Sequence, residues 1–478
     1  MGLACVSHLD RSAKVPAFGL DGVEEDLSWL TGPGAEEEDF EPGPLAAVAD
    51  AMDANIKAQA VGFYPRKPTS LEQAGLNLDF VEKLLCRHLH AHGAACGRKL
   101  AHDTGLSFRI IEPILAALKT DMVIVHRKTA AAGDYEYMLT EEGIARALGY
   151  MRITAYADHA PVPLADYVAS VEAQSLTLAN VGAEELEAAF QDITMEPEMM
   201  ARLGPAINAG RGMFLYGSPG NGKTTIAERV SRCFGTDIWI PRAIMVDDVC
   251  IRLYDPVLHE EVSDKSSGLM AEPFEDARWV RIRRPTVVVG GELTMDQLEL
   301  RHDMNSNIDE APLQMKSNCG VLLIDDFGRQ TMPVAQLLNR WIVPLEKRYD
   351  YQKLPTGKKI QVPFDQLVVF STNLAPKDLV DEAFLRRLPY KIEVADPTPA
   401  QFRRIFEAVA PKLGLKPTAE QIQKLIDEYY VAVGRPMRCC HPRDLMMQIR
   451  SYCGFHHLPF EFTDEAIAFG VNNYFAVM

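Results

Sequence analysis

Nowhere in the 478 residues do 18 apolar residues follow one another, so the sequence holds no membrane-spanning helix. The opening residues, MGLACVSHLDRSAKVP, lack the apolar h-region of a secretory signal, and none is expected. Val6 stands where an N-myristoylation motif carries Ser or Thr, so no lipid anchor is expected either. The nine cysteines form no CxxC pair, which is the usage of a reducing cytoplasm and gives no zinc spacing. The adjacent Cys439, Cys440 and His441 read as packing, because neighbouring side chains rarely converge on one ion. Basic residues are outnumbered, 49 against 66 acids, for a formal charge of −17. That balance disfavours broad nucleic-acid affinity and leaves room only for a local basic patch. No internal repeat is visible. Length and an ordinary apolar content predict a globular chain of about three domains.

What is present begins with an acidic stretch. From Asp21 to Asp53 there is no Lys or Arg, and Gly and Pro interrupt the acids. Residues 1–65 are expected to be an acidic, mostly disordered leader. The LSWL inside it reads either as a docking motif or as part of a solvated tail. Residues 66–160 look regular. LDFVEKLLCRHLHAHG, GRKLAHDTG and SFRIIEPILAALKTD predict three helices, closed in turn by Gly93 and Gly105 and opened in the third case by Ser107. MVIVHRK and DYEYMLT predict a hairpin, and EEGIARALGYM a last helix with Thr140 as its cap. Three helices followed by a hairpin resemble a winged helix-turn-helix. Such modules bind DNA or dock proteins. The presumed recognition helix carries Arg109 and Lys119 but also Glu112 and Asp121, and the wing offers only His126, Arg127 and Lys128, so protein docking or packing against the rest of the chain is the expectation over DNA binding. Residues 161–182 read as a Pro-containing linker and helix.

The chemistry lies in MFLYGSPGNGKTTIAERV, residues 213–230. A short apolar strand, a glycine turn and a helix carry Gly217, Gly222, Lys223 and Thr224 in the pattern G-x-x-x-x-G-K-[ST]. Glycines let backbone N–H groups turn inward around phosphates, and the helix start adds positive dipole. Lys223 would neutralise the β- and γ-phosphates of a nucleoside triphosphate, and the Thr224 hydroxyl would bind Mg²⁺. The loop residues Gly217, Ser218, Pro219, Gly220, Asn221, Gly222, Lys223, Thr224 and Thr225 form the expected nucleotide cradle. A second strand must bring an acid to the metal, and GVLLIDDFGR does so. Its four apolar residues suit a strand buried on both faces. Asp325 would then hold Mg²⁺, and Asp326 would serve as base or water-positioning carboxylate.

With these residues in hand the chain resembles an AAA+ ATPase, over about residues 183–470. GSPGNGKTT resembles the G-x-P-G-x-G-K-T form of that family. The resemblance implies a P-loop α/β core, residues 183–396, with a parallel sheet flanked by helices, and an α-helical lid, 397–478. In DQLVVFSTN it places sensor 1 at Asn373. In VDEAFLRRLPYKIEV it places the arginine finger at Arg387, with Arg386 second. In GRPMRCCHPRDLMMQIR it places sensor 2 at Arg443, with Arg438 and Arg435 behind it. One departure matters: the family usually has Glu where Asp326 stands. One methylene less implies slower hydrolysis or a closer backbone.

Two stretches exceed a minimal core. Between the loop and Asp325, IWIPRAIMVDDVCIRLYD predicts a strand pair, and RRPTVVVGGELTMDQLEL a strand and turn. Gly290 and Gly291 there mark either a substrate loop or a sheet-edge elaboration. YDYQKLPTGKKIQVPFD predicts a hairpin, with Lys358 and Lys359 at its tip or return strand. It resembles the pre-sensor 1 hairpin of the AAA+ branch that includes MoxR-type, magnesium-chelatase-type and dynein-type motors. The resemblance implies a cytoplasmic homo-oligomeric ring, a hexamer, that remodels a protein partner at the expense of ATP. A DNA-acting motor or loader and an ATP-driven assembly switch are the alternatives. ATP over GTP rests on the family, as no NKxD-type motif occurs.

Overall fold

The computed structural model describes residues 63–130, 133–262, 275–380 and 382–476. Nearly all of the acidic leader, including LSWL, lies outside them. Asn77 opens the helix Leu78–His92, its side chain accepting from the Phe80 N–H at 2.7 Å. Gly93 at φ 75° and Gly105 at φ 68° end the first two helices. Gly97–Thr104 and Phe108–Thr120 follow, then the strands Ile124–Thr129 and Tyr135–Leu139. The Thr140 hydroxyl accepts from the Gly143 N–H at 2.9 Å and starts the helix Glu141–Ile153. The sequence pattern did not show the strand Ala94–Cys96. It pairs antiparallel with Tyr135–Leu139, so the hairpin becomes a three-stranded sheet. Three residues between two helices are too few to display a period.

The central sheet has five strands: β1 (Met213–Tyr216), β2 (Thr286–Val289), β3 (Val321–Ile324), β4 (Leu367–Thr372) and β5 (Tyr390–Glu393). Their order is β2-β3-β4-β1-β5 and every pairing is parallel. Parallel strands covered on both faces should be apolar throughout, and β3 is buried at all four positions. One face packs Phe214, Phe370 and Trp341, the other Leu215, Ile226 and Leu323. Helices α1 (Lys223–Val230) and α2 (Val334–Lys347) lie on the two faces. This is an α/β architecture, a parallel five-stranded sheet flanked by helices. The lid core collects Phe402, Phe406, Tyr430 and Leu445, with α3 (His441–Phe455) among its helices.

The stretch between the loop and Asp325 departs from expectation. IWIPRAIMVDDVCIRLYD forms three strands, Ile238–Pro241, Ala243–Val246 and Val249–Arg252. Asp247 and Asp248 both adopt positive φ, 46° and 66°, as a two-residue type I′ turn requires. Thr286–Val289, read as part of an insertion, is instead the edge strand β2 of the core. Gly290 and Gly291 follow it directly. The Gly291 carbonyl accepts from the Thr331 N–H at 3.1 Å, so this turn lies against the loop after β3.

The linker is not a free tether. Val162–Pro163 adds a parallel strand to Ala243–Val246, and Tyr167 and Val171 sink into the core of the inserted sheet. The hairpin Tyr349–Lys353 with Lys359–Pro363 forms as expected. Leu354, Ile360 and Val362 bury it against the same core, and Lys358 pairs with Asp247. A buried ion pair completes the joint. Arg278, 3% exposed, meets Asp276 at 2.7 Å and donates to the Ala74 carbonyl at 2.7 Å and the Pro161 carbonyl at 3.4 Å. Removing one partner of a buried pair strands the other charge and usually costs about 3–5 kcal/mol. Arg278→Ala is therefore expected to lower unfolding stability by that order. A urea midpoint unchanged from wild type would refute the role.

Candidate functional site

The site forms where β1, β3 and β4 end side by side. Between β1 and α1 the chain turns through residues 217–222. Gly217 sits at φ +134°, and a Cβ there would stand 2.4 Å from the Val394 carbonyl oxygen. Only glycine meets both conditions. Lys223 opens α1 and is buried, 7% exposed. Its ammonium donates to the Gly217 and Ser218 carbonyls at 3.0 Å each and to Asn373 Oδ1 at 2.8 Å. Burial lowers the Lys223 pKa, and the Asp325 and Asp326 carboxylates oppose that shift.

Asn373 follows β4 and faces two ways. Its Nδ2 donates to Asp326 Oδ1 at 3.0 Å. A chain of contacts thus runs from Lys223 through Asn373 to Asp326. Beside it the Thr224 hydroxyl donates to Asp325 Oδ2 at 2.8 Å. A hydroxyl and a carboxylate oxygen brought together are hard donors of the kind Mg²⁺ accepts. The structure therefore gathers Lys223, Thr224, Asp325, Asp326 and Asn373 in one place. Pro219 and Gly220 lie exposed at the turn, and Asp326 is exposed at the end of the chain of contacts. The backbone at Asp326 is left-handed, φ 48°, a region that short polar residues tolerate best.

The lid sits directly on this turn. The Cys440 N–H donates to the Gly220 carbonyl at 2.9 Å, and the Cys439 N–H to Asn221 Oδ1 at 3.3 Å. Asn221 Nδ2 in turn donates to Asp396 Oδ1 at 2.8 Å, just past β5. Arg438 pairs with the same carboxylate. Burial acts to raise the Asp396 pKa, but Asn221 and Arg438 outweigh it and hold the pKa below its usual range. Neither Asp396 nor the second role of Asn221 was legible beforehand, since these contacts cross more than 170 positions of sequence. Among the described residues no group of three or more His, Cys, Asp and Glu is placed so that it could hold a metal ion. Burial pushes the Cys439 thiol up to about 11.

The expected arginines divide. Arg443 is 68% exposed and meets only the carboxylate of its neighbour Asp444 among its described pairings, at 3.1 Å. Arg435 lies 3.8 Å from the Phe475 ring. Arg438 is the one beside the 217–222 turn: its Cβ lies 3.7 Å from where a Gly220 Cβ would be. Arg386 and Arg387 follow the short helix Glu382–Leu385. Arg387 lies 3.4 Å from Glu346 on α2, and Arg386 is exposed.

Residues 398–473 match a family described as a domain of unknown function, DUF8689. No curated protein matches the chain in sequence. Among solved structures, a mutant of Thermotoga maritima RuvB is similar at 14% identity and a TM-score of 0.36, over 60% of this chain and 71% of that one. The Thermotoga maritima RuvB Holliday junction branch migration motor is similar at 13% and 0.32, over 62% and 70%. NtrX from Brucella abortus is similar at 12% and 0.35, over 59% and 57%. The likeness is one of architecture.

His441, at the start of α3, is buried among the lid's own Phe402, Tyr430 and Phe475. Burial, helped by the Arg438 and Arg435 charges and opposed by Asp444 and Asp396, pushes its pKa down to about 4. A histidine depressed on folding is held neutral, while the unfolded chain gains a proton below pH about 6.5. Its contribution is thus complete above about 6.5 and is lost as pH falls toward 4. His88 and His259 are lowered by burial too, so His441→Asn is expected to shallow the acid loss of thermal stability without abolishing it. An identical pH slope in both proteins would show that His441 is not held neutral.

Proposed function

We propose that the protein is a Mg²⁺-dependent ATP hydrolase of the AAA+ type, working as a homo-oligomeric ring, a hexamer, on a protein partner. One observation carries this reading: the linked contacts of Lys223, Asn373 and Asp326 beside the Thr224–Asp325 pair. In that arrangement residues 217–225 would cradle the phosphates, and Lys223 would exchange its carbonyl partners for phosphate oxygens. Thr224 and Asp325 would hold Mg²⁺, which supplies charge neutralisation at the phosphates. Asp326 accepts the proton of the attacking water, and Asn373 fixes where that water lies. For sensor 2 the contact with the loop favours Arg438 over Arg443. As finger, Arg386 is the more accessible of the pair, and Arg387 would have to leave Glu346.

The partner reading rests on the winged-helix-like residues 66–160. Arg127 and Lys128 share the one carboxylate of Glu136, at 3.6 and 3.5 Å, so one of their two positive charges is offset and both cations are engaged. A phosphate backbone needs them free. This favours a protein substrate or adaptor over DNA. The packed hairpin 349–363 fits a MoxR-like placement in which it stiffens the core. Among the described residues no helix is long and apolar enough to cross a membrane, and the eight described cysteines are free, as in a cytoplasmic protein.

Steady-state ATP hydrolysis against protein concentration tests the proposal. Specific activity should rise with concentration, and Lys223→Ala should abolish both binding and turnover. Either Arg386→Ala or Arg387→Ala should cut turnover by roughly 10³-fold or more while ATP still binds. Turnover independent of concentration and of both arginines would sink the ring. Tight ATP binding without turnover would put the assembly switch in its place.

A further inference from the structure

We infer that Gln330 is a positioning residue that sets the Asp326 carboxylate at its working distance from Asn373. This rests on the hydrolytic reading above and adds a residue to it. Asp326 is a methylene shorter than the glutamate usual in the resembling family, so its reach depends on where the backbone puts it. The backbone there is left-handed. Asp tolerates that conformation better than most residues with a Cβ, and what fixes it in one place is the hold of its surroundings.

Gln330 supplies that hold. Its Nε2 donates to the Asp325 carbonyl at 3.1 Å and to the Asp326 carbonyl at 3.2 Å. Its Oε1 accepts from the Gly328 N–H at 2.8 Å. One carboxamide thus spans three backbone groups of the turn that follows β3. The Arg329 N–H also donates to the Asp326 carbonyl, at 3.0 Å. The same turn is fastened to β4. The Phe327 N–H donates to the Ser371 carbonyl at 2.7 Å, and the Thr372 hydroxyl to the Phe327 carbonyl at 2.9 Å. Phe327 itself is buried against Phe214 and Phe370. The strand that carries Asn373 therefore fixes one side of the turn, and Gln330 fixes the other. Between them the Asp326 Oδ1 stands 3.0 Å from Asn373 Nδ2. Gln330 makes no bond to Lys223 or Thr224 among its described bonds, and its bond to Asp325 goes to the backbone carbonyl and not to the carboxylate that meets Thr224.

The test is Gln330→Met, which keeps length and removes all three bonds, with Gln330→Glu, which keeps the acceptor for Gly328 and loses the donors. Both should lower kcat about tenfold, the scale of one or two hydrogen bonds, with ATP affinity within about twofold of wild type. In an Asp326→Asn background, Gln330→Met should lower the residual kcat less than twofold, because its effect passes through that carboxylate. An unchanged kcat, wild-type activity in Gln330→Glu, a loss of ATP affinity as large as the loss of kcat, or full additivity with Asp326→Asn would each overturn the inference. If wild type binds ATP but never turns it over, the hydrolytic reading fails and takes the inference with it. Turnover by wild type that ignores Gln330 overturns the inference alone.

Discussion

The interaction on which the site depends is the seating of one buried cation. An ammonium taken out of water needs oxygens on every side. Lys223 finds two on the turn that precedes it and a third on Asn373. That single group ties the turn after β1 to the end of β4. The contact is possible only because the two strands are neighbours in the sheet, with Tyr216 opposite Thr372. β3 lies on the other side of β4 and delivers the two aspartates to the same edge. The order of the strands thus places the chemistry, and the buried lysine keeps the edge closed.

A second consequence concerns the lid. Its backbone is bonded to the phosphate-loop backbone and not merely packed nearby. Gly220 permits this, since a side chain there would stand 2.6 Å from the Cys440 sulfur. The pair Arg438 and Asp396, with Asn221 between the carboxylate and Cys439, gathers the end of β5, the loop and the lid around one carboxylate. Under the proposed function, a phosphate on the loop would compete with Asp396 for Arg438, which would couple lid position to loop occupancy through charge.

The site was far more legible than its surroundings. Local order carries the loop: the nine consecutive positions of GSPGNGKTT run from the end of one strand into the start of a helix. The apolar run before Asp325 and the polar end of β4 are likewise local. Sequence distance hid the rest. Arg438 ranks above Arg443 only once the lid's seat on Gly220 is known, because the HPRDL context says nothing about which turn of chain faces the loop. Thr286–Val289 looks like any short β-branched strand, and only its pairing with β3 makes it core. The Asp247–Asp248 turn was missed because aspartate pairs signal a type I′ turn far less clearly than Asn-Gly does. Gln330 carried no signal: a glutamine five residues past an acid is ordinary until its carboxamide is seen spanning a turn.

The strand Val162–Pro163 has mechanical meaning. Two residues of linker, added in parallel to the inserted sheet, together with the Arg278 pair behind them, turn what could have been a leash into a bracket. A leash lets its load wander and transmits only tension. A bracket transmits torque. Anything gripped by residues 66–160 would be swung through the same angle as the inserted sheet, so the distance it travels grows with its separation from the pivot. In such a geometry the displacement at the far end is set by the length of the arm as well as by the angle through which the inserted sheet turns.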